Sequence, residues 1–157
     1  MKPTLILPLL FLLLTGCDLA ANDQNSITIT TDKPSYRAGT TASLTIANRT
    51  EESIFLRLCQ ENQPAFELEH SYGQWNDEIP SRSFCPVAFR YVELAPEAAH
   101  MVTIRAGRAR LEDKAVRYQG QYRFRLYLYE QAGGQESDLL PISERSSNGF
   151  TIEGAGA

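Results

Sequence analysis

No catalytic signature stands in these 157 residues. The chain lacks a Gly-x-Ser-x-Gly elbow, a phosphate-cradling Gly loop ending in Lys-Ser or Lys-Thr, a dinucleotide fingerprint and a His-Glu-x-x-His pair. No catalytic residue is expected, and no cofactor. Histidine occurs twice, at His70 and His100, and cysteine three times. None of these stands in a Cys-x₂-Cys or His-x₃-His step, so no metal site is expected. The acidic residues Glu67, Glu69, Asp77 and Glu78 do not follow a calcium-loop pattern and read as a solvated face. Basic charge is in deficit, with 15 Lys+Arg against 19 Asp+Glu. A net charge of −4 gives no electrostatic drive towards nucleic acid, which is not expected as a partner. A long hydrophobic run is also missing. Thr4 to Leu14 is apolar for eleven residues, well short of the roughly 20 that a spanning helix needs.

That short run has a different use. Met1-Lys2 gives it a positive start, and the pattern fits the apolar core of a secretory signal. Leu14-Thr15-Gly16-Cys17 follows directly. It resembles the lipobox of bacterial lipoproteins, which implies lipid transfer to the Cys17 sulfur and cleavage before Cys17. Several acyl chains anchor stably where one does not. The resemblance implies palmitate and diacylglycerol on Cys17, a membrane anchor and a place in the bacterial cell envelope. Asp18 resembles the signal that retains such proteins in the inner membrane of enteric bacteria. Residues 1–16 are thus the signal peptide, 17–26 the lipidated cysteine and a polar tether, and 154–157 a flexible tail.

From Ile27 to Glu153 the pattern has period two. Ile27 and Ile29, then Ala42, Leu44 and Ile46, then Ile54, Leu56 and Leu58 alternate with residues turned the other way. Phe66, Leu68 and His70 repeat the pattern, as do Tyr122, Phe124, Leu126 and Leu128, and finally Phe150 and Ile152. Such alternation sends one side chain of each pair to a core and the next to solvent. Turn chemistry separates the runs, for example at Asp32-Lys33-Pro34, Ala95-Pro96 and Asn148-Gly149. The fold class is all-β, an antiparallel sandwich or barrel. Arg105 to Arg117 reads as a solvated connection, and His100 falls in a loop.

Several of these residues together resemble the bacterial immunoglobulin-like domains of secreted and lipid-anchored proteins. They are Asp32-Lys33-Pro34-Ser35-Tyr36-Arg37-Ala38-Gly39, a strand ending in Asn48, a Cys after the next strand, Phe66-Glu67-Leu68-Glu69 and Trp75. A second Cys, Leu94-Ala95-Pro96 and Gly120-Gln121-Tyr122-Arg123 complete the set. The resemblance implies an immunoglobulin-like β-sandwich of seven to nine strands over 27–153. It also implies a tyrosine-corner role for Tyr122. The family usually has Gly after the Leu-Xaa-Pro step, where this chain has Glu97.

Cys59 and Cys85 form an even pair in an exported domain, and a disulfide between them is expected. The strand Gly120 to Glu130 carries a second stripe opposite its apolar one: Arg123, Arg125, Tyr127 and Tyr129. Arg and Tyr are enriched in binding hot spots, so these four form a candidate contact face. The alternative is structural, since such residues also stabilise cross-strand pairs. Trp75 is either a core plug or an exposed anchor on that face. The function expected is a lipid-anchored, non-catalytic envelope protein that binds or scaffolds a partner, with an envelope protein or a glycan as partner. A bacterial proteinase-inhibitor family of similar β-sandwich type gives the second reading. It would present Gln60 to Pro64, or Ser81 to Pro86, as an exposed loop.

Overall fold

The computed structural model describes residues 25–37, 39–59, 63–71, 75, 81–82, 85, 89–105 and 121–153. The signal segment, Cys17, most of the tether, the connection after Arg105 and the tail lie outside the described residues. So do residues 60–62 of the first loop that the inhibitor reading nominates, and 83, 84 and 86 of the second.

The alternating segments are strands: β1 Ile27–Thr31, β2 Ser35–Arg37, β3 Thr41–Asn48, β4 Ile54–Leu58, β5 Phe66–Ser71 and β6 Ser81–Arg82. After these come β7 Arg90–Leu94, β8 Ala99–Arg105, β9 Gln121–Leu126, β10 Leu128–Tyr129 and β11 Thr151–Glu153. A 3-10 turn at Glu136–Asp138 is the one helical element among the described residues. The chain is all-β. Three sheets are antiparallel, with orders β1-β3-β8, β10-β4-β7 and β6-β5-β9, and β11 pairs with β2 in parallel.

Hydrophobic alternation explains the core. Ile27 and Ile29, Leu44 and Ile46, Leu56 and Leu58, and Phe124, Leu126 and Leu128 are all buried in one cluster. Phe150 stacks on Phe124, with centroids 4.8 Å apart, and meets Tyr36 edge-on at 5.3 Å. Fully burying an aliphatic or aromatic side chain of this kind contributes about 1.5–3 kcal/mol.

Two strand runs are broken at the same level, which lifts the number of described strands above seven to nine. Leu56 faces Leu128 and Phe66 faces Leu126, so β4 and β5 lie end to end along β9 and β10. On their other side, Leu58 faces Arg90 and Glu67 faces Arg82, so β7 and β6 also lie end to end. Tyr127 holds the junction. Its N–H donates to the Ala65 carbonyl at 3.2 Å, and its carbonyl accepts from the Arg57 N–H at 3.0 Å. The chain thus leaves the sheet after Leu58 and returns at Ala65. The excursion is closed at its neck, where the Cys59 N–H donates to the Gln63 carbonyl at 2.7 Å and Leu58 bridges Pro64.

One reading of the sequence is corrected here. His100 lies in β8, opposite Ile46, and not in a loop. Val102 and Ile104 are buried beside the exposed Met101, so β8 alternates like the rest. The Leu-Xaa-Pro step keeps a tight turn without glycine. Ala98 donates its N–H to the Ala95 carbonyl at 3.1 Å, and Glu97 takes a φ of 60°. Pro followed by a positive φ is the type II pattern, which favours Gly at the second position. An L-residue in that region costs about 1–2 kcal/mol. Glu97→Gly is therefore expected to raise stability by about 0.5–1 kcal/mol, after the extra freedom Gly gives the unfolded chain. A urea midpoint unchanged or lowered by Glu97→Gly would contradict this.

The Asp32 turn is locked by charge. The Tyr36 hydroxyl donates to Asp32 Oδ1 at 2.5 Å, and the Ser43 N–H donates to the same oxygen at 2.8 Å. The Tyr36 hydrogen bond, against a smaller opposing effect of burial, holds the Asp32 carboxyl below its usual value. Burial, then Asp32 itself, pushes the Tyr36 phenol up. The sign follows for each group. Asp32 stabilises the fold above its unfolded pKa near 3.8, and that contribution is lost as pH falls through the lowered folded value. Tyr36 stabilises below its unfolded pKa near 10.0, and that contribution is lost as pH rises through the raised folded value. Tyr36→Phe should flatten both limbs of a stability-against-pH curve. Limbs identical to the native protein would contradict the pairing.

Candidate functional site

The Arg/Tyr stripe is part of a charge ladder across the sheet. Register sets Glu69 opposite Arg123 and Glu67 opposite Arg125. Arg123 Nε lies 2.6 Å from Glu69 Oε2, and Arg125 Nη2 lies 2.9 Å from Glu69 Oε1. Arg125 Nη1 reaches Glu67 Oε2 at 3.4 Å, and the Tyr127 hydroxyl donates to Glu67 Oε1 at 2.9 Å. Opposite charges in direct cross-strand register attract, and here they pair below the surface.

Two expectations change with this geometry. Glu67 and Glu69 are not a solvated face, because both are buried. Arg125 and Tyr129 are buried too, at 6% and 3% exposure, so the four-residue stripe is not an open contact face. Arg123 is part-buried, and its guanidinium lies 4.3 Å from the centre of the Trp75 ring. Trp75 is 36% exposed, a cover over Arg123 and not a core plug. Cation–π contact of this kind contributes about 0.5–1 kcal/mol at an exposed site.

The ladder continues towards β4 and β7. Arg57 lies over Phe89, 3.8 Å from the ring centre, and Tyr91 meets Tyr129 edge-on at 5.4 Å. Beside β9, where the Leu126 N–H donates to its carbonyl at 2.8 Å, Arg145 is buried and donates from Nε to the Leu140 carbonyl at 3.0 Å. Burial, then neighbouring Arg125, holds the Arg145 guanidinium below its usual value. Glu67, Glu69, Arg57 and Arg145 were not singled out as partners of the stripe. The signal was present: Glu67 and Glu69 alternate with the same spacing as Arg123 and Arg125, as cross-strand ion pairs require.

The two interrupted strand runs meet in a second feature. Cys59, at the neck of the first excursion, is disulfide-bonded to Cys85, between β6 and β7. Their Cα atoms are 5.1 Å apart. The bond joins the neck after β4 to the segment between β6 and β7. Gln63 at the neck is exposed, while Pro64 and Ala65 are buried. The disulfide expected from the cysteine count is therefore present.

At the end of the domain where the chain enters, a cleft of about 300 Å³ has Ile27, Ile54 and Leu140 on its floor. Glu51, Glu52, Glu130 and Glu144 also line it. Among the described residues no group of three or more His, Cys, Asp or Glu side chains is placed to hold a metal ion. Among them too, no helix is long and apolar enough to cross a membrane.

No family model matches the chain, and no curated protein matches it. Among solved structures, it is similar to the Pseudomonas fluorescens alkylpurine DNA glycosylase AlkC bound to DNA containing an abasic site analog. The identity is 9%, with 82% of this chain and 31% of that chain covered, at a TM-score of 0.34. This chain thus spans about a third of the other's length. The partner expectation is corrected at this point. It named the membrane, an envelope protein or a glycan and excluded nucleic acid, whereas the similar structure is of a DNA-bound protein. The exclusion rested on net charge, which sums the whole chain and does not describe any one face. At this TM-score the likeness carries no argument for DNA binding by this chain either.

Proposed function

We propose that the chain is a non-catalytic binding or scaffolding module, an immunoglobulin-like β-sandwich held by lipid at Cys17 in the bacterial cell envelope. Its contact surface is the pair of excursions tied by Cys59–Cys85. The observation that carries this reading is the disulfide that ties the end of β4 to the segment between β6 and β7. A covalent tie between two segments pre-organises them, and pre-organised segments lose less entropy on binding. The bond also supports export, because disulfides persist in oxidising compartments. The Arg/Glu ladder favours the loops over the stripe, since its charges are engaged with one another.

The lipid assignment is tested with Cys17→Ala. The native chain should sediment with membranes and incorporate labelled palmitate, and the variant should do neither. Equal sedimentation and labelling would overturn the assignment.

A second reading has its own observation. The closed neck at Cys59 and Gln63 resembles the support a proteinase inhibitor needs for a presented loop. Titration against a panel of serine proteases separates the two readings. Stoichiometric inhibition, lost on reducing the disulfide, makes the chain an inhibitor. No inhibition at equimolar protein leaves the scaffold reading.

A further inference from the structure

We propose that Arg57, set among Phe89, Tyr91 and Tyr129, is a binding site for a carboxylate carried on an aromatic or apolar body. The Arg57 cation is part-buried and lacks the partners that its neighbours have. Arg123 and Arg125 meet Glu67 and Glu69, and Arg145 donates to the carbonyls of Leu140 and Leu126. Among the described residues, the Arg57 guanidinium has neither a carboxylate nor a carbonyl as partner. Its one hydrogen bond there runs from Nη1 to the Tyr129 hydroxyl at 3.5 Å, long for such a bond. Its Nε is buried with no hydrogen-bond partner. Buried polar groups are nearly always bonded, so an orphaned guanidinium nitrogen needs a reason.

The surroundings hold the cation and leave its donors open. Its central carbon lies over the Phe89 ring, 3.8 Å from the centre. That contact attracts the charge through the ring face and uses none of the N–H groups, which lie in the guanidinium plane. Tyr91 meets Phe89 edge-on at 5.7 Å and Tyr129 edge-on at 5.4 Å, and its hydroxyl donates to the Gly134 carbonyl at 3.3 Å. The Tyr129 hydroxyl accepts from Arg57, and among the described residues its own hydrogen has no acceptor. Two donors therefore converge. The carboxylates next along this face are engaged elsewhere: Glu67 with Tyr127 and Arg125, and Glu93 with the Ser53 hydroxyl at 2.8 Å.

Charge and shape select the ligand. A guanidinium edge presents parallel N–H groups that match a carboxylate, and one monoanion balances one cation. Phe89 is 49% exposed, so apolar ring surface lies open beside the charge for the body of the ligand to pack on. The site borders the segments tied by the disulfide, since Arg57 ends two residues before Cys59 and Phe89 follows Cys85 by four. The proposal therefore rests on the reading of those segments as the contact surface, and it names the chemistry recognised there. A free aromatic acid and the C-terminus of a peptide both carry that chemistry.

The full chain is titrated with N-acetylphenylalanine, its amide, a short peptide ending in phenylalanine with a free carboxylate, and inorganic phosphate. Arginine Nε–H resonances are followed by NMR, and the Arg57 signal is the one missing from Arg57→Lys. It is expected to shift saturably with the two free carboxylates and not with the amide or phosphate. Arg57→Lys and Phe89→Ala should each weaken binding by about ten-fold or more. Arg123→Lys, at the other guanidinium set over an aromatic ring, should leave it unchanged. Tighter binding of the peptide makes a chain terminus the source, and tighter binding of N-acetylphenylalanine a free acid. A saturable shift with no partner cross-linked at Gln63 keeps this site and overturns the contact-surface reading, and a cross-linked partner with no shift does the reverse. Equal shifts with the amide, tighter binding of phosphate, or native affinity in Arg57→Lys would each overturn the proposal. The native titration decides it should a variant fail to fold.

Discussion

Glu69→Ala is expected to lower folding stability by about 3–5 kcal/mol, the cost of breaking a buried ion pair by removing one partner. Glu69 is 2% exposed and engages two guanidiniums, Arg123 at 2.6 Å and Arg125 at 2.9 Å. Its loss removes from buried Arg125 the shorter of its two carboxylate contacts, at 2.9 Å against 3.4 Å to Glu67. Arg123→Ala should cost less, because Arg123 is the more exposed partner and its removal leaves Glu69 still bonded to Arg125. With total stability of about 5–15 kcal/mol for a domain, Glu69→Ala removes a large share of it. Urea unfolding of the variants reads both effects. A Glu69→Ala midpoint within experimental scatter of the native one would mean that the ladder is exposed in solution. The stripe would then return to being a contact face.

The paired substitution Cys59→Ala with Cys85→Ala is expected to cost about 3.5 kcal/mol, from the chain entropy of a loop spanning 26 residues. The effect on the excursions is more specific than the effect on stability. Backbone bonds close the first excursion without the disulfide, through Cys59 and Gln63. The disulfide adds the tie between this neck and Cys85. Partner capture should fall further than the unfolded fraction accounts for. Capture that tracks the folded fraction alone would make the bond a staple only.

The apolar frame was legible because hydrophobic period two leaves little choice of face. Ile27, Leu44, Leu56, Phe124 and Ile152 point where alternation puts them. The charge ladder was less legible, since alternation alone sends Glu67 and Arg125 to solvent. Burial of such groups depends on what lies opposite, and register is a property of two strands. The interruption of β4 and β5 was hidden for the same reason. Leu58 and Phe66 look like an end and a beginning until both are set against Tyr127 and its neighbours. Cys59 and Cys85 were the exception: with Cys17 assigned to the lipid by the lipobox resemblance, two cysteines left one pairing.

Position-resolved photo-crosslinking in intact cells separates the loops from the stripe most directly. A crosslinking residue is placed at Gln63, beside the disulfide, and in a second strain at Tyr127, within the ladder. The excursion reading predicts a discrete adduct at Gln63 and none at Tyr127, with both proteins folded and present in equal amounts. An adduct at Tyr127 with none at Gln63 would contradict it and move recognition back to the sheet face.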